Sequence, residues 1–188
     1  MREELKEYGK YFLGTAILTY VLLSIVLENK SVLDNLDLVL YLIPELIDTI
    51  GFDHKHPHHH LDVFNHTILV IENLNTTDFE LNMSALLHDI GKPHSYEEGE
   101  VRHFHNHDEY SYNMSKQILE RLQVNPDTSK RILYLIRYHD TKIECIDNER
   151  ELVIKRLKLQ YADAMAHHPD KAQKRIDALN QIKKELKL

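Results

Sequence analysis

One cysteine, Cys145, is all the thiol this chain carries. It cannot close an internal disulfide, so the sequence points to a reducing, cytoplasmic setting. Glycine and proline are also scarce, five of each in 188 residues, and there is no internal repeat or low-complexity tract. Basic charge is in short supply too. Twenty-three Lys and Arg against 30 Asp and Glu leave a net charge of −7 at pH 7 with histidines neutral. That argues against a broad binder of the phosphate backbone, which needs a basic surface to release counterions, but it leaves room for a local basic groove.

Long apolar runs are nearly absent. The exception is Tyr11 to Leu27, 17 residues without a charge. This length is near the lower limit for spanning a bilayer, and Gly14, Thr15, Thr19, Tyr20 and Ser24 dilute it. Glu3, Glu4 and Glu7 spoil the positive start of a signal peptide, and no small-residue cleavage site follows. Length and dilution favour a buried or interface helix, with dimerisation through it, over a membrane anchor.

What the sequence has in plenty is apolar residues at helical spacing, with no convincing alternating strand. A first helix is expected over about residues 3–28. A second follows Ser31 and carries Leu38, Val39, Leu42, Leu46 and Ile47 inward, with Pro44 kinking or restarting it. A loop, Asp53 to His60, precedes a third helix near 62–73. Asp78 can cap a fourth that stops at Gly91, and Pro93 blocks its continuation. Further helices are expected over about 108–123, from Pro126 to near His139, over 149–167, and from Pro169 onward. The expected fold is all-α, about seven to nine helices, with residues 1–30 as an apolar helix ahead of a helical domain over 31–188.

Histidine is abundant, 14 residues, and placement matters more than number. His66, His88, Asp89, His107, His139 and Asp163 stand within or at the edges of helices, amid apolar neighbours. Any one alone reads as a core or helix-end group satisfied by a hydrogen bond. Six together read as a metal site, because helices that each contribute an inward ligand are how helical cores hold ions. His88 and Asp89, roughly 100° apart around a helix, can straddle one ion, or the carboxylate can bridge two.

In order, the sequence gives Asp62-Val63-Phe64-Asn65-His66-Thr67, then Ala85-Leu86-Leu87-His88-Asp89-Ile90-Gly91-Lys92-Pro93, then His103-Phe104-His105-Asn106-His107-Asp108-Glu109-Tyr110-Ser111. Leu135 to His139 and Tyr161-Ala162-Asp163-Ala164 follow. Over about residues 38–167 this set resembles the HD-domain metal-dependent phosphohydrolase superfamily. It is most similar to the HD domain of bacterial tRNA nucleotidyltransferases and poly(A)-polymerase-like proteins. Two departures are small: Asn106 where glycine is common, a residue that tolerates the left-handed region, and Asp108 where Glu is usual. The nucleotidyltransferase head, with its Gly-Gly and paired-carboxylate strand, is not expected in this sequence, so a free-standing HD domain that does not add CCA or poly(A) is the expectation.

The resemblance implies His66, His88, Asp89 and Asp163 as the ligands of one ion. It also implies that His107 and His139 hold a second ion, with Asp89 as the bridge and reacting centre. It implies hydrolysis of a nucleotide or small phosphoester by metal-activated hydroxide, in phosphodiesterase, nucleotidase or phosphatase fashion. Lys92 would contact a phosphate oxygen, and His103 would touch substrate, stabilise the leaving oxygen or orient a ligand. A mixed His/Asp set suits Mn, Fe, Co, Ni or Zn better than Mg or Ca. The alternative is a non-catalytic RNA- or nucleotide-binding module with a structural metal. In the run of His54, His56, His58, His59 and His60, His59 or His60 is the one expected to reach the pocket. His167 and His168 read as a helix end. Lys171, Lys174, Arg175, Lys183, Lys184 and Lys187 read as the solvated face of an amphipathic helix, ahead of an RNA-contact strip.

Overall fold

Side-chain caps fix where the helices begin. Asp62 accepts the backbone N–H of Asn65 at 2.8 Å, Asp78 that of Leu81 at 3.1 Å, and Asn125 those of Asp127 and Thr128 at 2.9 and 3.4 Å. In a computed structural model describing residues 23–24, 32–143 and 150–187, these caps open three of the seven α-helices that lie between Leu36 and Glu185 among the described residues. The helices are α1 (Leu36–Leu42), α2 (Val63–Leu74), α3 (Phe79–Leu87), α4 (His107–Arg121), α5 (Pro126–Arg137), α6 (Arg150–Ala166) and α7 (Pro169–Glu185). Short 3₁₀ turns cover Pro44–Thr49 and Lys92–His94. Among the described residues the fold is all-α apart from an isolated antiparallel bridge between Asp53 and Asp62 and one antiparallel pair, β1 (Tyr96–Glu97) and β2 (His103–Phe104), in register Tyr96 with Phe104 and Glu97 with His103.

The boundaries differ from expectation in two places, the start of the second helix and the end of the fourth expected one. The second helix starts at Leu36 behind Asn35, and Ser31 lies outside the described residues. Pro44 restarts the chain as a 3₁₀ turn, as its missing N–H dictates. Helix α3 ends at Leu87 rather than Gly91, so His88 is its C-cap and Asp89 stands in the turn beyond. The hairpin was not foreseen, since two residues per strand leave no alternation to see. Of Tyr11 to Leu27, only Leu23 and Ser24 are described; both are helical, and Leu23 is buried in the main core. Cys145 also lies outside the described residues. Among the described residues no helix is long and apolar enough to cross a membrane.

The main core gathers Val39, Ile43, Ile71, Met83, Leu86, Ile118 and Ile136 from α1 to α5, with Leu159 from α6. A smaller cluster under α7 joins Val153, Leu157 and Ala164 to Leu179. A polar tie runs between them. Glu80 on α3 receives Arg131 Nε of α5 at 2.7 Å and Lys155 Nζ of α6 at 2.7 Å, and Lys155 also reaches Asp78 at 2.9 Å.

Two close approaches set the walls of the candidate site. Gly91 packs so tightly on the first turns of α4 that an added Cβ would meet Ser111 N at 2.4 Å and His107 O at 2.9 Å. The Ala162-Asp163-Ala164 stretch lets α6 lie close along α2, and Asn73 of α2 donates to Ala162 O at 3.1 Å. Asn106 takes the left-handed conformation (φ 57°) in front of α4, which its short polar side chain tolerates.

Candidate metal centre

Four histidines are held in the same way. Each Nδ1 lies against a backbone carbonyl: His88 on Ala85 O at 2.7 Å, His107 on Phe104 O at 3.1 Å, His139 on Ile136 O at 2.7 Å, and His66 on Ala166 O at 3.4 Å. The first three partners are each three residues upstream, the last a hundred residues away. A carbonyl only accepts, so each Nδ1 carries the proton. The four Nε2 lone pairs are thereby left to point elsewhere, the orientation seen when imidazoles serve as metal ligands.

They point at two buried carboxylates. Asp89 Oδ2 is 3.2 Å from His88 Nε2 and 3.6 Å from His66 Nε2, while its Oδ1 is 3.6 Å from His107 Nε2 and 3.7 Å from His139 Nε2. Asp163 Oδ1 is 3.1 Å from His66 Nε2 and 4.0 Å from His88 Nε2. His107 and His139 bring their Nε2 atoms within 3.2 Å of each other. The ligand atoms of His66, His88 and Asp89 lie within 4.8 Å of one another, and so do those of Asp89, His107 and His139. Asp89 belongs to both sets, one oxygen to each.

Burial sets the protonation states, and neighbouring charges correct it. Burial pushes His139 down to about 4, helped by His88 and His107, and holds His66 below the ordinary imidazole value despite Asp163 and Asp89. Burial also opposes charge on His88, but Asp89 outweighs it and the value rises. Burial would raise both carboxyls, yet His88 and Lys92 hold Asp89, and His167, His66 and Arg175 hold Asp163, well below the usual carboxylate range. Two facts test whether a cation fits. His88 Nε2 and Asp89 Oδ1 are buried with no hydrogen-bond partner, a cost a bound ion removes. The donors are nitrogen and anionic oxygen, the set that borderline divalent ions prefer. The residues fit.

The structure brings His66, His88, Asp89, His107, His139 and Asp163 together, and Lys92 with them. Lys92 is buried, neither solvated nor free, with Nζ 2.7 Å from Asp89 Oδ2 and 3.2 Å from His54 Nε2. His103 is placed elsewhere, as a correction to the expected substrate or orienting contact. It lies exposed on β2 with its ring against His105. Strand geometry turns the neighbouring Phe104 inward instead, toward Lys92 and His54.

Several participants were missed or read blandly. His54, fully buried, donates Nδ1–H to Leu61 O at 2.9 Å and holds Lys92 on its other nitrogen. His167 approaches Asp163 Oδ1 at 3.4 Å, so it is more than a helix end. Arg175 is not on a solvated face. It reaches Asp163 Oδ2 at 3.3 Å and Asp140 Oδ1 at 2.8 Å, and it donates to His139 O at 3.4 Å. Buried Arg156 and Gln160 on α6 donate to Tyr138 O and Thr141 O, pinning the turn that carries His139. Apart from His167, which stands four residues after Asp163, no spacing rule finds these, because each acts between separate segments. The cleft over the cluster, about 190 Å³, is lined by Asp89, Lys92, His107, His139, Asp163 and Arg175, along with loop histidines. That is below the volume of pockets that enclose a drug-sized ligand.

The sequence matches the HD domain family over residues 58–183. It is 33% identical over 149 residues to the A-adding tRNA nucleotidyltransferase of Deinococcus radiodurans, covering 71% of this chain and 34% of that protein. It is 32% identical over 101 residues to the multifunctional CCA protein of Dechloromonas aromatica, covering 52% of this chain and 24% of that protein. The chain thus spans about a third or less of the relatives it matches. With a His/Asp cluster that can hold divalent metal at the centre of an all-α fold, this chain belongs to the HD domain family, and its HD domain is related to that of the tRNA nucleotidyltransferases.

Proposed function

We propose that this chain hydrolyses a phosphoester bond in a nucleotide or small phosphoester, using divalent metal held by the His/Asp cluster. The observation that carries this reading is the Asp89 carboxylate. It is buried and anionic, with one oxygen facing His66 and His88 and the other facing His107 and His139. A carboxylate divided between two imidazole sets is suited to bridging paired ions. When bound, such ions acidify a water and neutralise charge on the phosphoryl oxygens.

The chain's own residues supply the rest. His66, His88 and Asp163 fill one side of the cluster, and His107 and His139 the other. Lys92 presents an ammonium in the cleft, held between Asp89 and His54, as a point charge for a non-bridging phosphate oxygen. In the reaction, the water oxygen bonds to phosphorus as the bond to the leaving oxygen breaks, and that oxygen takes up a proton. The small cleft supports a reacting phosphate with the remainder of the substrate outside. The name of the Deinococcus radiodurans relative ties it to tRNA, which supports a nucleotide or an RNA-derived end as the substrate class. The donor set supports Mn, Fe, Co, Ni or Zn over Mg.

The test compares hydrolysis of 2′,3′-cyclic AMP and of a generic phosphate ester by the natural chain and Asp89→Ala, with Mn or Ni added. Turnover by the natural chain and loss in the variant is expected. Equal rates, or none from either protein, would leave a non-catalytic binding module.

A further inference from the structure

A third group of ligand atoms lies beside the two that share Asp89, and it contains no carboxylate. His59, His66 and His167 offer one nitrogen each, all within 4.8 Å of one another. Their rings cluster face to edge, His59 to His167 at 4.7 Å and His59 to His66 at 5.0 Å between centroids. The chain builds this arrangement deliberately. The His59 ring is stacked on buried His54 at 3.7 Å with planes 4° apart, which fixes its orientation. His168 N donates to His58 O at 2.7 Å, sewing the histidine loop to the junction of α6 and α7 where His167 sits. His59 Nδ1 is buried without a hydrogen-bond partner. A buried nitrogen left unpaired in a rigidly held ring is costly, and a cation among the three imidazoles removes the cost.

We propose that His59, His66 and His167 form a further divalent-metal position at the mouth of the cleft, taking a nitrogen-preferring ion such as zinc, nickel or copper. Asp163 Oδ1, 3.4 Å from His167 Nε2 and 3.1 Å from His66 Nε2, is a fourth donor that the mouth, like His66, shares with the inner group. Manganese and magnesium, which favour oxygen, do not compete well there. His66 belongs to this group and to the inner one with His88 and Asp89, so occupancy of the mouth draws on a ligand of the inner site. A nitrogen-preferring ion in excess therefore acts on the metal centre from its entrance. The proposal extends the metal-centre reading, but it is tested on a different residue set.

The test uses the full chain stripped with chelator and titrated separately with zinc and with manganese, counting bound ions after desalting. His59→Phe keeps the ring stack on His54 and deletes both nitrogens; His167→Asn removes the second imidazole independently. Each should lose the zinc class assigned to the mouth, or weaken it by more than about tenfold, the least that losing even an outer partner of a metal ligand costs. Manganese binding should be unchanged in both. Thermal melts in chelator identify a variant that fails to fold, in which case the other carries the test. Zinc binding at the natural number and affinity in a folded His59→Phe or His167→Asn overturns the proposal. Asp89→Asn separates the two readings. If it leaves manganese binding unchanged, the inner site fails, and the mouth stands where the zinc class is also kept; if it abolishes manganese and keeps a zinc class, both stand.

Discussion

Replacing Gly91 with alanine should destabilise this protein, against the usual direction of such a change. Gly91 has φ −82° and ψ −13°, a right-handed conformation that alanine adopts freely. At such a position alanine ordinarily adds about 0.4–1 kcal/mol by restricting the unfolded chain. Here the new methyl would stand 2.4 Å from Ser111 N, 2.7 Å from Tyr110 Cβ and 2.9 Å from His107 O. Two of the three neighbours are backbone, so no flexible side-chain end can yield, and the start of α4 must move by on the order of 1 Å. Overpacking of this kind costs about 1–3 kcal/mol. The buried bond from Gly91 N to Ser111 Oγ, 3.0 Å, is strained by the same movement and is worth about 1 kcal/mol. The net expectation is a loss of about 2 kcal/mol. Because α4 begins with His107, the movement also carries one ligand of the Asp89–His107–His139 group away from the others. Urea unfolding in chelator measures the first effect, and manganese titration of the folded variant the second. An unfolding midpoint equal to or above that of the natural chain, with unchanged manganese binding, would refute the argument.

Three further perturbations test separate parts of the structure. Arg175→Ala should leave the fold in place but weaken metal binding by about tenfold or more, since Asp163 Oδ2 loses the group that holds it; isothermal titration with manganese reads this, and an unchanged affinity refutes it. Lys92→Met leaves Asp89 buried beside fewer cations, so in chelator the variant should lose about 3 kcal/mol or more, and saturating manganese should restore part of that; thermal melts with and without metal decide it. Glu80 gives a pH dependence. Burial would raise its carboxyl, but Arg131 and Lys155 outweigh burial and hold it below the ordinary value. A carboxyl lower in the folded than in the unfolded state stabilises above the unfolded value, about 4.3, and that contribution disappears as pH falls through the folded one. The stability gap between the natural chain and Glu80→Gln should therefore be full at pH 7 and shrink below about pH 4. A gap that is constant with pH would show that the network carries no charge-dependent stability.

Helix starts were the most readable part of the sequence, because Asp62, Asp78, Pro126 and Pro169 act locally through caps and fixed φ. Helix ends were less so. The chain leaves the α3 helix at Leu87, four residues before the glycine that seemed to stop it, because the turn must aim His88 and Asp89 together. The six ligand candidates were legible as an ordered set of polar residues in apolar surroundings. The family resemblance brings His103 into the site, but a motif does not say which side of a two-residue strand faces in, and here Phe104 does. The sequence does not place Arg175, because its partners, Asp140 and Asp163, lie on other segments and only the return of α7 across the site reveals them. His167 was within reach of the sequence: it follows Asp163 at i,i+4, so the end of α6 sets it beside that carboxylate.

The contact of His66 Nε2 with Asp163 Oδ1, 3.1 Å, joins residues 97 positions apart. A ribosome releases the first of this pair long before the second, and every shorter piece of the chain lacks one wall of the cluster. Closing a loop that long is costly until the helices between are packed. The complete set, with Asp163 beside His66, therefore exists only once the helices between them have packed. Capture of an ion then marks a chain that has been made through Arg175 and correctly closed.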